Sequence, residues 1–196
     1  MEKSHDVTHC LIHCVADLRA LSRYVVEVLE LQLHERELRR NGVICRLVQE
    51  TAQLLRVHVD QLDQELATLG EAESALRAST GHLAAAFVGF FSKARAHEPS
   101  RMLRDDSALL GFTATNCLML HTTAFALRHP RTAQLAMTHY RELSALVQEM
   151  EQQLPRLVMA DLGQRFGGID RTAAETTSEL ASEVTPIQQP TLAATA

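Results

Sequence analysis

The sequence predicts an all-α protein with one helical domain and a C-terminal tail, and three observations support this fold class. Glycine and proline, which break helices, number only 8 and 5 among 196 residues. Aromatic residues make up 4% of the chain and tryptophan is absent, whereas alanine, leucine, glutamate and arginine dominate its middle. Apolar residues recur every three or four positions, as in helices that bury one face. The predicted helices span about 7–40, 43–69, 82–97, 101–128 and 130–160.

The charge pattern argues against two classes of partner. The net charge is −5, with both signs mixed along the chain, and no basic block marks a nucleic-acid surface. No apolar run approaches the roughly 20 residues of a membrane span, and the first residues lack the pattern of an export signal. We therefore expect a cytoplasmic protein. The cysteines have no C-x-x-C spacing and are expected to be reduced; they are Cys10, Cys14, Cys45 and Cys117.

The first two helices are expected to form an antiparallel hairpin. Asn41-Gly42 ends the first apolar stripe, as a left-handed cap residue would, and the second helix follows at once. This second helix has the cleanest amphipathic pattern of the chain, with His58 at the centre of its apolar stripe. Gly70 ends it. The shared face of the first helix is predicted to carry Leu11, Cys14, Leu18, Leu21, Val25, Leu29 and Gln32.

A long connection separates this hairpin from the third helix. Residues 71–99 are too many for a simple loop and contain an apolar segment, so we expect a crossover with its own helix at 82–97. The third helix is expected to begin near Arg101 or at a cap formed by Asp105 or Asp106.

Proline marks the fourth helix. Pro130 fits its first position, where the missing N–H costs nothing, and Pro155 is expected to kink or shorten it. The helical domain is assigned to residues 1–163. Residues 164–196 are poor in apolar side chains and are expected to be a disordered tail.

This topology brings two histidines to one level. Two hairpins joined by a crossover make the second and third helices parallel. His58 then lies roughly 24 Å from the first hairpin turn, and His139 roughly 15 Å from the second turn at the opposite end. In a bundle about 40 Å tall, the two histidines then lie at nearly the same height along the bundle axis. Up-down-up-down threading would instead place them about 9 Å apart along that axis.

Several short strings of the second and third helices resemble those of a known family. They are Glu50-Thr51 followed by His58 and Leu62, the helix end at Leu69-Gly70, and the opening Asp106-x-x-Leu109-Leu110. Together with the order of helices, they resemble the small stress-associated ferritin-like proteins of bacteria over roughly residues 10–158. The resemblance implies a ferritin-like four-helix bundle of two antiparallel hairpins joined by a long helical crossover. In ligand-bearing relatives it implies two metal ions, held by one Glu from each of two helices and a Glu-x-x-His from each of the other two.

The chain departs from this ligand pattern at both histidines. The residue three positions before His58 is Leu55, and the residue three before His139 is Ala136, so neither has the required acid. The inward positions of the first and third helices also lack a carboxylate; they carry Ser22, Val25, Gln32, Thr113, Asn116 and Cys117. We therefore expect that the di-iron site is lost.

Two acids nevertheless fall near an apolar stripe. Glu65 lies about 10 Å beyond His58 along the helix axis and is expected to reach solvent near the helix end. Asp106 is expected to cap the third helix, near the opposite end of the bundle. The two carboxylates are not expected to meet in one site.

A smaller metal site is a separate hypothesis. His58, His139 and a rotated Glu142 could bind one zinc or iron ion, and His121 could join only if its helix rotated. The alternative is a polar layer held by hydrogen bonds without a metal. Its members would be His58, Thr51, His139 and Asn116.

A second candidate metal site lies at the start of the first helix. His5, His9, His13 and Asp17 follow one another at four-residue steps, a spacing that lets neighbouring side chains chelate one ion. Cys10 is a candidate further ligand. The alternative is a row of exposed histidines at a fraying helix start.

No catalytic motif is recognised, since both G-x-S-x-G and a phosphate-binding glycine loop are missing. The leading interpretation is a non-catalytic ferritin-like bundle without a cofactor. It would act as a binding or structural module for protein partners, including further copies of itself, and the resemblance implies a link to stress. Two alternatives remain open. One is a metalloprotein with an unusual His-based mononuclear or residual di-metal site in the bundle core, and the other is a platform whose Thr-rich tail from Thr172 recruits a partner.

Overall fold

The computed structural model describes residues 2–70, 98–166, 169–170 and 172–183, with side chains from Thr8 onward. Its elements are α1 (Glu2–Gln32), α2 (Arg36–Arg40), α3 (Gly42–Leu69), α4 (Pro99–Ala126), α5 (Pro130–Arg165) and α6 (Ala173–Glu183). The described ranges contain no strand, and the predicted all-α class is confirmed. The expected crossover helix at 82–97 lies outside the described residues.

The first predicted helix is divided into α1 and α2. α1 ends at Gln32, and the chain turns before Glu35, whose extended backbone (φ −70°, ψ 130°) starts the short α2. Leu38 anchors α2 because its side chain is fully buried. Asn41 is extended (φ −102°) rather than left-handed, and its side-chain oxygen accepts a hydrogen bond from the backbone N–H of Ile44 at 3.2 Å. The predicted left-handed cap is therefore wrong, because Asn41 serves as the N-cap of α3.

The other helix ends follow from glycine and proline. Gly70 ends α3 with φ +93°, as predicted, because glycine adopts left-handed backbone without strain. α4 begins at Pro99, before all of the predicted start positions. Pro130 occupies the first turn of α5, as predicted, and Pro155 does not end this helix, which continues to Arg165.

The four long helices α1, α3, α4 and α5 share one hydrophobic core. α1 contacts α3 and α4, and α5 contacts the same two helices. Each long helix contributes fully buried leucines, for example Leu29, Leu55, Leu110 and Leu143, and burying one such side chain stabilises the fold by about 1.5–3 kcal/mol. None of the described helices is long and apolar enough to cross a lipid bilayer.

The chain beyond α5 was predicted to be a disordered tail. Residues 173–183 instead form α6, which contacts α5. Asp170 accepts hydrogen bonds from the backbone N–H and the hydroxyl of Thr172, at 2.9 and 2.8 Å, and so fixes the turn before α6. Ile169 lies close to Gly163 of α5. Composition alone did not reveal this helix because small residues form its contact with α5. Residues 184–196 lie outside the described part of the chain.

Candidate functional site

The middle of the helical core contains a pair of stacked histidines, His58 of α3 and His139 of α5. Each side chain is 1% exposed. Their ring centroids are 3.8 Å apart and the ring planes differ by only 12°. The predicted proximity of these two residues is confirmed. Buried neighbours one turn away, such as Leu62 on α3 and Leu143 on α5, make the surroundings of the rings apolar.

The two helices exchange hydrogen bonds around this pair. The His58 Nε2–H donates to Oε2 of Glu142 at 2.7 Å, and the His139 Nε2–H donates to Oε1 of Gln61 at 2.7 Å. Each acceptor lies three residues after the histidine of its own helix, so the arrangement is reciprocal. We call His58, Gln61, His139 and Glu142 the histidine layer. Glu142 was predicted as a ligand, whereas Gln61 was not among the predicted site residues.

Burial determines the charge state of the histidine layer. It lowers the pKa of His58 from 6.5 to about 4 and the pKa of His139 from 6.5 to about 3. A charge on His58 would lower the pKa of His139 further, whereas the Glu142 carboxylate acts in the opposite direction. Both imidazoles are therefore neutral at pH 7. Because their partners are oxygen acceptors, the proton of each ring is on Nε2.

This geometry bears on the predicted zinc or iron site at His58, His139 and Glu142. The three side chains are brought together, but both Nε2 atoms are engaged by oxygen acceptors. The lone pairs of nearly parallel stacked rings run side by side, whereas metal ligands must converge on one point. Among the described residues, no set of three or more His, Cys, Asp or Glu side chains is arranged to hold a metal ion. Metal binding here stays a prediction and would require the rings to turn.

Other residues predicted for the polar layer have local partners instead. Thr51 donates its hydroxyl hydrogen to the carbonyl oxygen of Leu47 at 2.7 Å, and the half-buried Asn116 donates to the carbonyl oxygen of Phe112 at 2.9 Å. Both bonds stay within one helix. His121 places Nδ1 2.9 Å from the carbonyl oxygen of Ala133 on α5. Gln61 and Glu142 thus take the places that we predicted for Thr51 and Asn116.

The two isolated acids are buried, and both predictions for them are wrong. Glu65 is 3% exposed; it accepts a hydrogen bond from the Thr132 hydroxyl and pairs with Nε of Arg131 at 3.1 Å. The start of α5 therefore covers it from solvent. Asp106 is 1% exposed and accepts a hydrogen bond from Nε2 of Gln32 at 2.6 Å. It cannot cap α4, because this helix begins seven residues earlier.

The N-terminal histidine row is present in part. His9 and His13 place their Nε2 atoms 3.3 Å apart on the outer side of α1. Asp17 is half-buried, and burial raises its pKa while His13 lowers it. Cys10 is exposed, whereas burial raises the pKa of the neighbouring Cys14 thiol. The side chain of His5 lies outside the described part of the chain.

A cleft of about 1260 Å³ lies at the other end of α1, between the starts of α3 and α4 and the last turns of α5. Its charges are largely paired with one another. Glu37 pairs with Arg40, and Glu98 pairs with both Arg101 and Arg165. The lining carries five acids and four arginines, so the cleft presents no strong charge of either sign to a ligand. It is separate from the histidine layer.

Comparison with known protein families, with curated proteins and with solved structures finds no match. The resemblance to ferritin-like proteins therefore depends on the residues quoted above.

Proposed function

We propose that this protein is a non-catalytic helical bundle that acts as a structural module by pairing with a second copy through α4. The observation that carries the proposal is an exposed face of α4 without any charge. No Asp, Glu, Lys or Arg occurs between Ser107 and Leu127. The exposed residues in this stretch are Ala108, Phe112, Thr115, Leu118, Met119, Thr122, Phe125 and Ala126. We call these eight residues the α4 face.

The α4 face is unusually apolar for a surface in water. Met119 is 63% exposed and Phe125 is 72% exposed. Aromatic residues and methionine are enriched in protein interfaces, and charged residues are depleted at interface centres. A continuous face of this composition favours a protein partner.

The spacing of large and small residues favours a second copy as this partner. If two α4 helices lie antiparallel about a twofold axis at residue 117, Phe112 meets Thr122 and Met119 meets Thr115 of the other copy. Ala108 then meets Ala126. Phe112 and Met119 thus each face a small side chain in a self-complementary contact, which is what a twofold interface requires.

The area of the α4 face is sufficient for a modest dimer. It is about 27 Å long and, with two phenylalanines, a methionine and a leucine, exposes roughly 600 Å². Stable interfaces begin near this size for each partner. The chain carries a net charge of −5, and the uncharged faces avoid direct contact between like charges.

Sedimentation velocity of the full chain over a range of micromolar concentrations tests the proposal. We expect a dimer for the wild type and a monomer for Met119→Glu, because the new carboxylate would be buried in the interface against Thr115 of the other copy, without a cationic partner. Leu31→Glu is a matched control, since Leu31 is an exposed apolar residue of α1, and should remain dimeric. A monomeric wild type would overturn the proposal and would assign the α4 face to residues 71–97 or to a different protein.

For the arrangement of the helices, we infer two antiparallel hairpins, α1 with α3 and α4 with α5, in which α3 and α4 run parallel as in ferritin-like bundles. Two contacts support this inference. Gln32 at the end of α1 meets Asp106 near the start of α4, and Glu65 near the end of α3 meets Thr132 at the start of α5. Up-down-up-down threading would instead place the start of α4 beside the end of α3.

A second candidate function is a metalloprotein in which the rings of the histidine layer turn to bind zinc or iron. It is favoured by the juxtaposition of His58, His139 and Glu142. Elemental analysis of the untagged protein separates the two candidates. Stoichiometric metal that is lost in His139→Ala would support this second function, and wild-type protein without metal would overturn it.

A further inference from the structure

Two histidines on the outer side of α1 have ring nitrogens at the spacing of metal ligands. His9 and His13 are one helical turn apart, so that their side chains lie on the same face. Their Nε2 atoms are 3.3 Å apart. The ring centroids are 4.3 Å apart and the ring planes are inclined by 74°. The two Nε2 atoms therefore lie within hydrogen-bond distance of each other.

The distance between these nitrogens matches that of a tetrahedral zinc site. With zinc–nitrogen bonds of 2.0–2.1 Å and a tetrahedral angle, two imidazole ligands stand about 3.4 Å apart. The observed separation differs from this by about a tenth of an ångström. The separation of the two nitrogens would thus change little on binding, while the two rings would tilt until both Nε2 lone pairs point at the ion.

We propose that His9 and His13 form a two-histidine site for a divalent transition-metal ion such as Zn²⁺. Imidazole nitrogen suits zinc, copper and nickel, and disfavours calcium and magnesium, which prefer oxygen ligands. His9 is exposed and His13 is half-buried, so an ion can enter from solvent without opening the fold.

The surroundings of the pair favour a cation. Asp17, one turn beyond His13, interacts electrostatically with this histidine. In the part of the chain that the structure describes, no third His, Cys, Asp or Glu side chain completes a metal cluster.

A bound ion would have a structural effect on α1. It would link two successive turns near the start of the helix, where helices fray most readily. Because the ion binds only the folded arrangement of the two imidazoles, it would stabilise the helical state of this segment. This role is independent of dimer formation through α4.

Calorimetric titration of the untagged full chain with zinc chloride tests this site. We expect one saturable site per chain, and at least a tenfold weaker affinity in His9→Asn and in His13→Asn. His34→Asn is the matched control, since His34 is an exposed histidine in the turn after α1, and should bind as the wild type does. Circular dichroism should show that all three variants remain folded.

Three outcomes would overturn the proposal. The first is no saturable binding to the wild type, which would leave the contact as an N–H···N hydrogen bond only. The second is unchanged affinity in both His9→Asn and His13→Asn. The third is loss of the zinc site in His139→Ala with full retention in His13→Asn, which would assign the ion to the histidine layer.

Discussion

Acid should destabilise this protein through the two buried histidines. In the folded chain, burial lowers the pKa of His58 to about 4 and that of His139 to about 3. In the unfolded chain both rings are hydrated, with a pKa of about 6.5. Between these values the unfolded chain binds protons that the folded chain does not. The stability contribution is therefore fully present above about pH 6.5 and is lost as the pH falls.

The size of this effect follows from the unfolded state. At pH 5, protonation of one histidine of pKa 6.5 stabilises the unfolded chain by about 2 kcal/mol, provided that the folded pKa lies well below 5. The two histidines together should lower the free energy of unfolding by about 4 kcal/mol between pH 8 and pH 5. Such a loss is a large part of the total stability of a typical domain.

Urea unfolding at about pH 8 and pH 5 measures this loss, and variants assign it to its source. In His139→Gln, the loss of unfolding free energy between pH 8 and pH 5 should be about 2 kcal/mol smaller than in the wild type. The reason is that only one of the two buried histidines, His58, is then left to take up a proton when the chain unfolds. His34→Gln is the control, since the exposed His34 ring stays in contact with solvent, and it should show the wild-type loss. Equal losses in the wild type and His139→Gln would refute the reasoning.

Two further predictions concern single contacts, and both are measured by urea unfolding at neutral pH. Thr132→Val removes the hydroxyl that donates to buried Glu65 and should lower the free energy of unfolding by about 1–3 kcal/mol. Thr132→Ser keeps a hydroxyl and should lose much less stability. Equal losses in the two variants would contradict a stabilising role for this hydrogen bond. Gly70→Ala should cost about 1 kcal/mol because φ is +93°. Gly111→Ala should instead stabilise helix α4 by about 0.5–1 kcal/mol, since an added Cβ meets nothing within 4 Å. If both glycine variants changed the free energy of unfolding in the same direction, this prediction would be contradicted.

The pairing of the histidines could be predicted from the sequence because helix geometry determines it. Counting residues from each turn put His58 and His139 at one level, and the structure stacks their rings 3.8 Å apart. The partners were harder to predict. Glu142 lies about 70° from the centre of its stripe, yet its flexible side chain reaches across to His58. A count along one helix gives the direction of Cβ but does not reveal which acceptor a neighbouring helix offers.

The burial of the two acids could not be predicted from local pattern. Glu65 lies near the end of α3, where a solvent-reaching side chain is common, but Thr132 and Arg131 of α5 cover it. Asp106 looked like a cap, because aspartate is favoured at helix starts. Pro99 starts α4 earlier, and Gln32 of α1 then provides the partner that makes burial of Asp106 tolerable. Both outcomes depend on residues distant in the sequence.

Nitrogen-15 NMR of the imidazole rings tests most directly whether the core of this protein is held by neutral, hydrogen-bonded histidines. The account predicts that His58 and His139 both carry their proton on Nε2 and keep this form from about pH 8 down to pH 5, with no change on addition of zinc at one equivalent. Titration of either ring near pH 6.5, or displacement of the Nε2 proton by zinc, would contradict it.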